Sequence, residues 1–418
     1  MHDAPVRRLA FWSAAIITLL ALVLWCLWKT DTNFVARQKA VAPDALPAAR
    51  SSVTPRPDQE QAQPRAVAAP SQPPGENAAD FYKQAFELFN ALTEEEKNML
   101  AHPRDEVDAE KAAGLFEKIR PIMDLLRQAK DAAYVDWGIG ELRFDKPLPH
   151  ILPVWKLGRL ALWDAAYLFP SEPERAVDDL LARAQLGHSI GTDAMIGFLV
   201  ETSLAVGAVD LIRGNAASLT PEAFSQSIEM LSSPASASDF VTSISREADS
   251  YPSSMAKALS NPDTRKKALK AIANMPNLTG NDSPNLEAST RDISAQSEWL
   301  AQTEKTFAQK AALPDAEFKA WWTQVSEEGK SRPFAAMSLP TLETMRERYR
   351  ADSVNRSMLA AGLTVMQSGA DQIGTYLDPT TGHPFTYVET AAGFELRSTF
   401  QYKKKPVTMS FSSPAPQP

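Results

Sequence analysis

Apolar positions recur at helical spacing along most of the chain. Phe81, Ala85, Leu88, Phe89 and Leu92 share one face of a helix that begins near Asn77. Thr93-Glu94-Glu95-Glu96 then has the spacing of a capping box, which opens a second helix. Leu115, Phe116, Ile119, Met123 and Leu126 mark a third, which Pro121 is expected to kink or divide because it lacks a backbone donor. Trp137 to Pro153, with Pro147 and Pro149 between, reads as a turn-rich crossing.

The pattern is clearest over residues 154–232. Leu157, Leu160, Ala161, Ala165 and Leu168 give an amphipathic helix that Pro170 ends. Ser171-x-x-Glu174 has the form of a cap for the next, whose Val177, Leu180, Leu181 and Ala184 share a face. Ala194 to Ile212 is apolar almost all round. Glu201 and Asp210 interrupt it, so it reads as a buried core helix and not as a membrane span. Thr220-Pro221-Glu222 starts another, with a capping residue before Pro at the first helical position. The short loops predict antiparallel neighbours. Residues 236–368 stay helical but less regular. Asn274 to Pro284 reads as an exposed loop, and Leu313-Pro314-Asp315 opens a helix carrying Trp321 and Trp322. Trp155 and Gly158 match only a fragment of the tetratricopeptide pattern, so the stack is repeat-like without belonging to a repeat family.

Near the end the period changes to two. Phe385 and Tyr387, a turn at Ala391-Ala392-Gly393, then Phe394, Leu396 and Ser398, and finally Pro406 to Phe411 predict a small antiparallel β meander. Asp378-Pro379-Thr380-Thr381-Gly382 is the turn leading into it. So small a ribbon needs a partner, and the helix from Met345 to Met366 is the expected one.

The other end is different again. Leu9 to Trp28 carries no charge, and at ~1.5 Å per residue it matches the ~30 Å hydrocarbon core. Trp12, Trp25 and Trp28 lie near its ends, where indole rings favour the interface. The run exceeds the ~7–15 apolar residues of a signal peptide, and Ala40-Val41-Ala42 lies well past it. It is expected to be a single-pass anchor in membrane lipid. The short tail with Arg7 and Arg8 favours N-in at the inner membrane, with the soluble part exported, against Lys29, Arg37 and Lys39 beyond the span. Residues 29–76 read as a linker, because Pro43 to Pro74 offers almost no bulky apolar residue to offset its ordering entropy. The expected fold class is therefore mainly α: tail and anchor over 1–28, disordered linker over 29–76, helical domain over 77–368, and β cassette with tail over 369–418.

Composition narrows the chemistry. A net charge of −8 with no basic block argues against nucleic acid as a partner. Cys26, inside the apolar run, is the one cysteine, so neither an intrachain disulfide nor a Cys-based zinc site can form. His2, His102, His150, His188 and His383 are dispersed, and no pair has metal-ligand spacing. Gly187-His188-Ser189-Ile190-Gly191 is a literal G-x-S-x-G, which in an α/β-hydrolase forms a strand-to-helix elbow. Here the preceding residues have helical period, and a helix–helix turn capped by Thr192 or Asp193 explains the glycines. Asp178-Asp179 and Glu94-Glu95-Glu96 read as solvated acidic faces, Trp321-Trp322 as a pair with one ring packed inward, and Lys403-Lys404-Lys405 as a charged turn between strands. No catalytic, cofactor-binding or metal-ligating set is expected.

Asp378-Pro379, Gly382, Pro384, Tyr387, Gly393-Phe394, Leu396 and Ser398, in that order, resemble the C-terminal end of type II secretion pseudopilins. The same ending, together with Asn77-Ala78-Ala79, Trp137 and the Leu/Ala-rich helices from 154, is similar to a family of uncharacterised bacterial single-pass membrane proteins with a helical envelope domain. Arg8-Leu9-Ala10-Phe11 lacks the Glu of a prepilin-peptidase site, and Lys403 to Lys405 replaces the acidic calcium-binding tail of many pseudopilins. The resemblance implies fold and location and supplies no catalytic residues. The expected function is a non-enzymatic, membrane-tethered interaction or scaffold protein of the cell envelope. The alternatives are a serine hydrolase using Ser189 and a pseudopilin-like assembly subunit.

Overall fold

The computed structural model describes residues 75–412 except 101–108, 141, 143–147, 233–234, 262–263, 266–289, 333–334 and 336–337. The expected anchor Leu9 to Trp28, the linker up to residue 74 and the loop Asn274 to Pro284 lie outside the described residues.

The first helix, α1 (Ala78–Ala91), begins where Asn77 caps it by accepting from the Ala79 amide at 3.1 Å. The same side chain bonds both the amide and the carbonyl of Asp136, so one residue starts the helix and clamps the crossing after α3. α2 (Glu94–Met99) opens on the predicted capping box: Thr93 Oγ1 accepts from the Glu96 amide, and Glu96 accepts from the Thr93 amide. Pro121 does not divide α3 (Ala109–Lys130), because buried Ile119, Ile122 and Met123 hold the helix on both sides of it.

α4 (Ile151–Leu168) starts three residues earlier than its apolar period suggests. Pro153 falls in its first turn, where a missing N–H breaks no helical bond. α5 (Pro173–Gly191) also differs: Glu172 is its N-cap, without a side-chain bond, and Pro173 takes the first position, so the Ser171–Glu174 box does not form. α6 (Met195–Gly214) is followed by α7 (Pro221–Ser232), where Thr220 accepts from the Ala223 amide as predicted. Then come α8 (Ala235–Ser260), α9 (Thr290–Lys310), α10 (Asp315–Gly329) and α11 (Leu339–Ser368).

Three hydrophobic cores meet on α6. Its Phe198 and Leu199 join Phe240 of α8, Phe307 of α9, Trp322 of α10 and Met345 of α11. Val200 and Leu204 join the core of α1, α3, α4 and α5. Ala208 to Ile212 pack with α4, α5, α7, α11 and the sheet. Burying each large side chain contributes about 1.5–3 kcal/mol. A helix surrounded in this way has no polar face to present, which accounts for its all-round hydropathy. Among the described residues it is the one helix long and apolar enough to cross a membrane, and 67% of that window is buried inside the protein. It is a core helix.

After α11, Gly369 (φ +95°) and a short 3-10 helix lead to the cassette. β1 (Thr386–Thr390), β2 (Gly393–Tyr402) and β3 (Lys405–Ser412) form one antiparallel sheet in that order, with Tyr387 opposite Leu396 and Phe394 opposite Phe411. Lys403 and Lys404 occupy the two-residue turn at positive φ (50° and 64°). The sheet shares its core with α11, α4, α5 and α7, so the cassette is continuous with the helical body.

Candidate functional site

Helix α5 ends in the G-x-S-x-G segment, and α6 folds back against it after Thr192. The glycines serve that approach. A Cβ on Gly191 would collide with the Glu201 carboxylate, and one on Gly197 with the Ile190 carbonyl. Neither Thr192 nor Asp193 caps α6. The Met195 amide is instead bonded at 2.8 Å by Glu247 from α8, so the cap comes from a distant helix. Asp193 turns away to bond His150 Nε2 at 2.9 Å and Arg246 at 3.0 Å. Trp137 stacks on His150 with ring centroids 5.0 Å apart and donates its indole N–H to the Ser189 carbonyl.

His188 lies at the centre of the junction. Its Nδ1 stands 2.6 Å from Asp239 Oδ2 of α8 and 3.7 Å from Glu201 Oε1 of α6. Hydrogen bonds that the ring N–H donates, to Asp239 first and to Glu201, favour the charged imidazole, with its pKa pushed up to about 10. Burial raises the Glu201 carboxyl, and the charge of Asp239 adds to that shift. On α11, Arg356 bonds Asp352 at 2.9 Å and its positive charge acts on Glu201.

A second buried cluster ties α3 to α4 and α5. Arg127 Nη2 lies 2.6 Å from Asp179 and 4.0 Å from Asp164, and Lys130 pairs with Asp178. Burial, and then a hydrogen bond shared with Asp164, raise the Asp179 carboxyl to about 8. The expectation that Asp178-Asp179 forms a solvated face fails for Asp179, which is fully buried. Its helical position faces α3 and α4, where Arg127 receives it.

Ser189 is not raised on an elbow. It sits in the last turn of α5 and donates its hydroxyl to the Leu186 carbonyl at 2.7 Å. His383 belongs to the turn before β1, where its carbonyl accepts from the Asp378 amide. His2 and His102 lie outside the described residues. Trp322 packs inward while Trp321 is half-buried against it, and Glu96 serves the α2 capping box and pairs with Lys118. Sequence spacing misses the meeting of His188, Glu201 and Asp239, because they come from three helices. One signal does point to it: Glu201 is a charge in the middle of the most apolar of the described helices. Comparison with known proteins finds no family model that matches the chain, and no curated protein or solved structure similar to it.

Proposed function

We propose that the chain is a membrane-tethered, non-enzymatic interaction protein of the bacterial cell envelope. In this reading Leu9 to Trp28 is a single-pass anchor in the inner membrane, N-in, and residues 29–76 are the leash. The helical body with its β cassette is the exported module that engages a protein partner.

The observation that carries the non-enzymatic reading is the place of Ser189. Its hydroxyl is spent on the carbonyl of its own helix, and its neighbour His188 is engaged by two carboxylates. A nucleophile needs the reverse, with the serine bonded to the base. The charged groups around it link helices: Asp193 joins His150 to Arg246, and Glu247 caps α6. The uncharged run at Leu9 to Trp28 supports the tether.

The test is affinity capture of the detergent-solubilised full chain from its native membrane, repeated with Leu9 to Trp28 exchanged for an unrelated span. The expected result is one protein recovered in proportion to the bait with both anchors. Recovery of the chain in the aqueous fraction without its first thirty positions would end the tether reading. Labelling by a serine-directed probe that disappears in Ser189→Ala would replace it with a hydrolase, and end-to-end cross-linked polymers with an assembly subunit.

A further inference from the structure

We propose that His188, Glu201 and Asp239 form a binding site for one divalent transition-metal ion, which would lock α5, α6 and α8 together. Each residue offers one ligand atom, and the three atoms lie within 4.8 Å of one another. Ligands on one zinc-like ion sit at ~2.0–2.2 Å from it, and so roughly 3–3.5 Å apart. The 3.7 Å separation of His188 Nδ1 from Glu201 Oε1 and the 2.6 Å separation from Asp239 Oδ2 bracket that spacing. Seating one ion requires the short pair to open by about 0.4 Å or more and the long pair to close by about 0.2 Å or more.

Glu201 supplies an independent sign. The residue is 5% exposed, and its Oε2 is buried without a hydrogen-bond partner. A carboxylate oxygen left bare in the interior costs about 1–3 kcal/mol unless something binds it. The terminal torsion of Glu is broad, so the carboxylate can turn either oxygen toward His188. The Gly191 backbone, with no Cβ, leaves the carboxylate room to lie there.

Charge points the same way. Glu201, Asp239 and Asp352 bring three acidic side chains to the junction, against the single guanidinium of Arg356 and the His188 imidazole. A divalent ion bound among them would offset that acidic excess. Access is available too, because the His188 side chain is 39% exposed while both acids are buried. An ion can enter beside the ring and keep water in its remaining positions. One imidazole nitrogen with two carboxylate oxygens suits Zn²⁺ or Mn²⁺ better than Mg²⁺, which favours oxygen ligands and retains its own water.

The test is calorimetric titration of the chelator-treated full chain in detergent with Zn²⁺ alone, and with Mg²⁺ for comparison, at pH 7.5. One equivalent of Zn²⁺ should bind with release of about one proton, read from the dependence of the heat on buffer. Glu201→Gln and Asp239→Asn, which keep shape and remove charge, should each weaken binding at least ten-fold. Unaltered far-UV circular dichroism would show that both variants fold. In case either fails to fold, histidine NMR on the unmodified chain provides a second reading: Zn²⁺ should move the His188 ring resonances before those of any other histidine. Binding that is unchanged in both variants, shifts confined to other histidines, or no heat at all would overturn the proposal. The inference does not depend on the interaction role proposed above.

Discussion

Ser398 and Asp378, twenty residues apart, meet in the cassette through one buried hydrogen bond from the Ser398 hydroxyl to Asp378 Oδ2. The register between β2 and β3 shifts between Arg397 and Gln401, and there the Phe400 amide donates to Ser398 Oγ at 2.9 Å. The other oxygen of Asp378 accepts from the amide and hydroxyl of Thr380. One serine thus satisfies the irregular strand and ties it to the turn that leads into the sheet. Ser398→Ala leaves a buried carboxylate oxygen and an amide without partners, so we expect a loss of about 1–3 kcal/mol. Chemical denaturation should also show that adding Asp378→Ala costs less than the sum of the two single changes, because they remove one bond.

The aromatic ring of Phe411 lies over Gly362 on α11, where any Cβ would collide with it. This contact seats the sheet on the helix, with Phe411 stacked on Phe394 at 4.9 Å. Gly362→Ala is expected to destabilise the chain by about 1–3 kcal/mol through overpacking, despite the better helix propensity of Ala. Combining it with Phe411→Leu should recover part of the loss. If Gly362→Ala raises the melting temperature, the sheet does not rest there.

Asp179 makes stability depend on pH in an unusual direction. In the native state burial keeps its proton until about pH 8, whereas the unfolded chain releases it near pH 4. Its contribution is complete below that lower value and is lost as the pH climbs through the upper one. Asp179→Asn keeps a neutral donor beside Asp164 at every pH. Its melting temperature should exceed that of the parent by about 2 °C or more at pH 9, and match it near pH 5. A thermal melt series giving the opposite order would mean that Asp179 is ionised against Arg127 throughout.

The pentapeptide at the end of α5 separates two demands. Ser189→Ala removes only a bond to the Leu186 carbonyl of its own helix and should change stability by less than about 0.5 kcal/mol. Gly191→Ala drives a methyl group into the Glu201 carboxylate and should cost about 1–3 kcal/mol. Parallel urea melts would decide. A hydrolase elbow would require its serine for activity, whereas a helix junction requires its glycines for packing.

Much of the fold was readable along the chain. Helical periodicity marks most helices up to residue 232 and leaves residues 236–368 less regular, Thr93 and Thr220 announce their caps, and the alternation of Phe394, Leu396 and Ser398 announces a strand. These are local signals, since caps and period depend on residues within one or two turns. Two of the errors are also local in origin. Ser171 lost its capping role because Pro173 took the first helical position, and Pro153 was absorbed into a first turn that needs no donor there. Asp179 read as solvated because a helix face can be assigned only once its neighbours are known.

That α6 is a core helix is legible along the chain, since a run so apolar yet interrupted by Glu201 and Asp210 suits burial inside protein. So is the need of a two-period ribbon for a helix to lie on. The facing of His188 with Glu201 and Asp239, the sharing of Arg127 by Asp164 and Asp179, and the capping of α6 by Glu247 emerge from helix packing alone. Side chains from separate helices meet according to packing angles and close glycine contacts, and neither leaves a spacing along the chain.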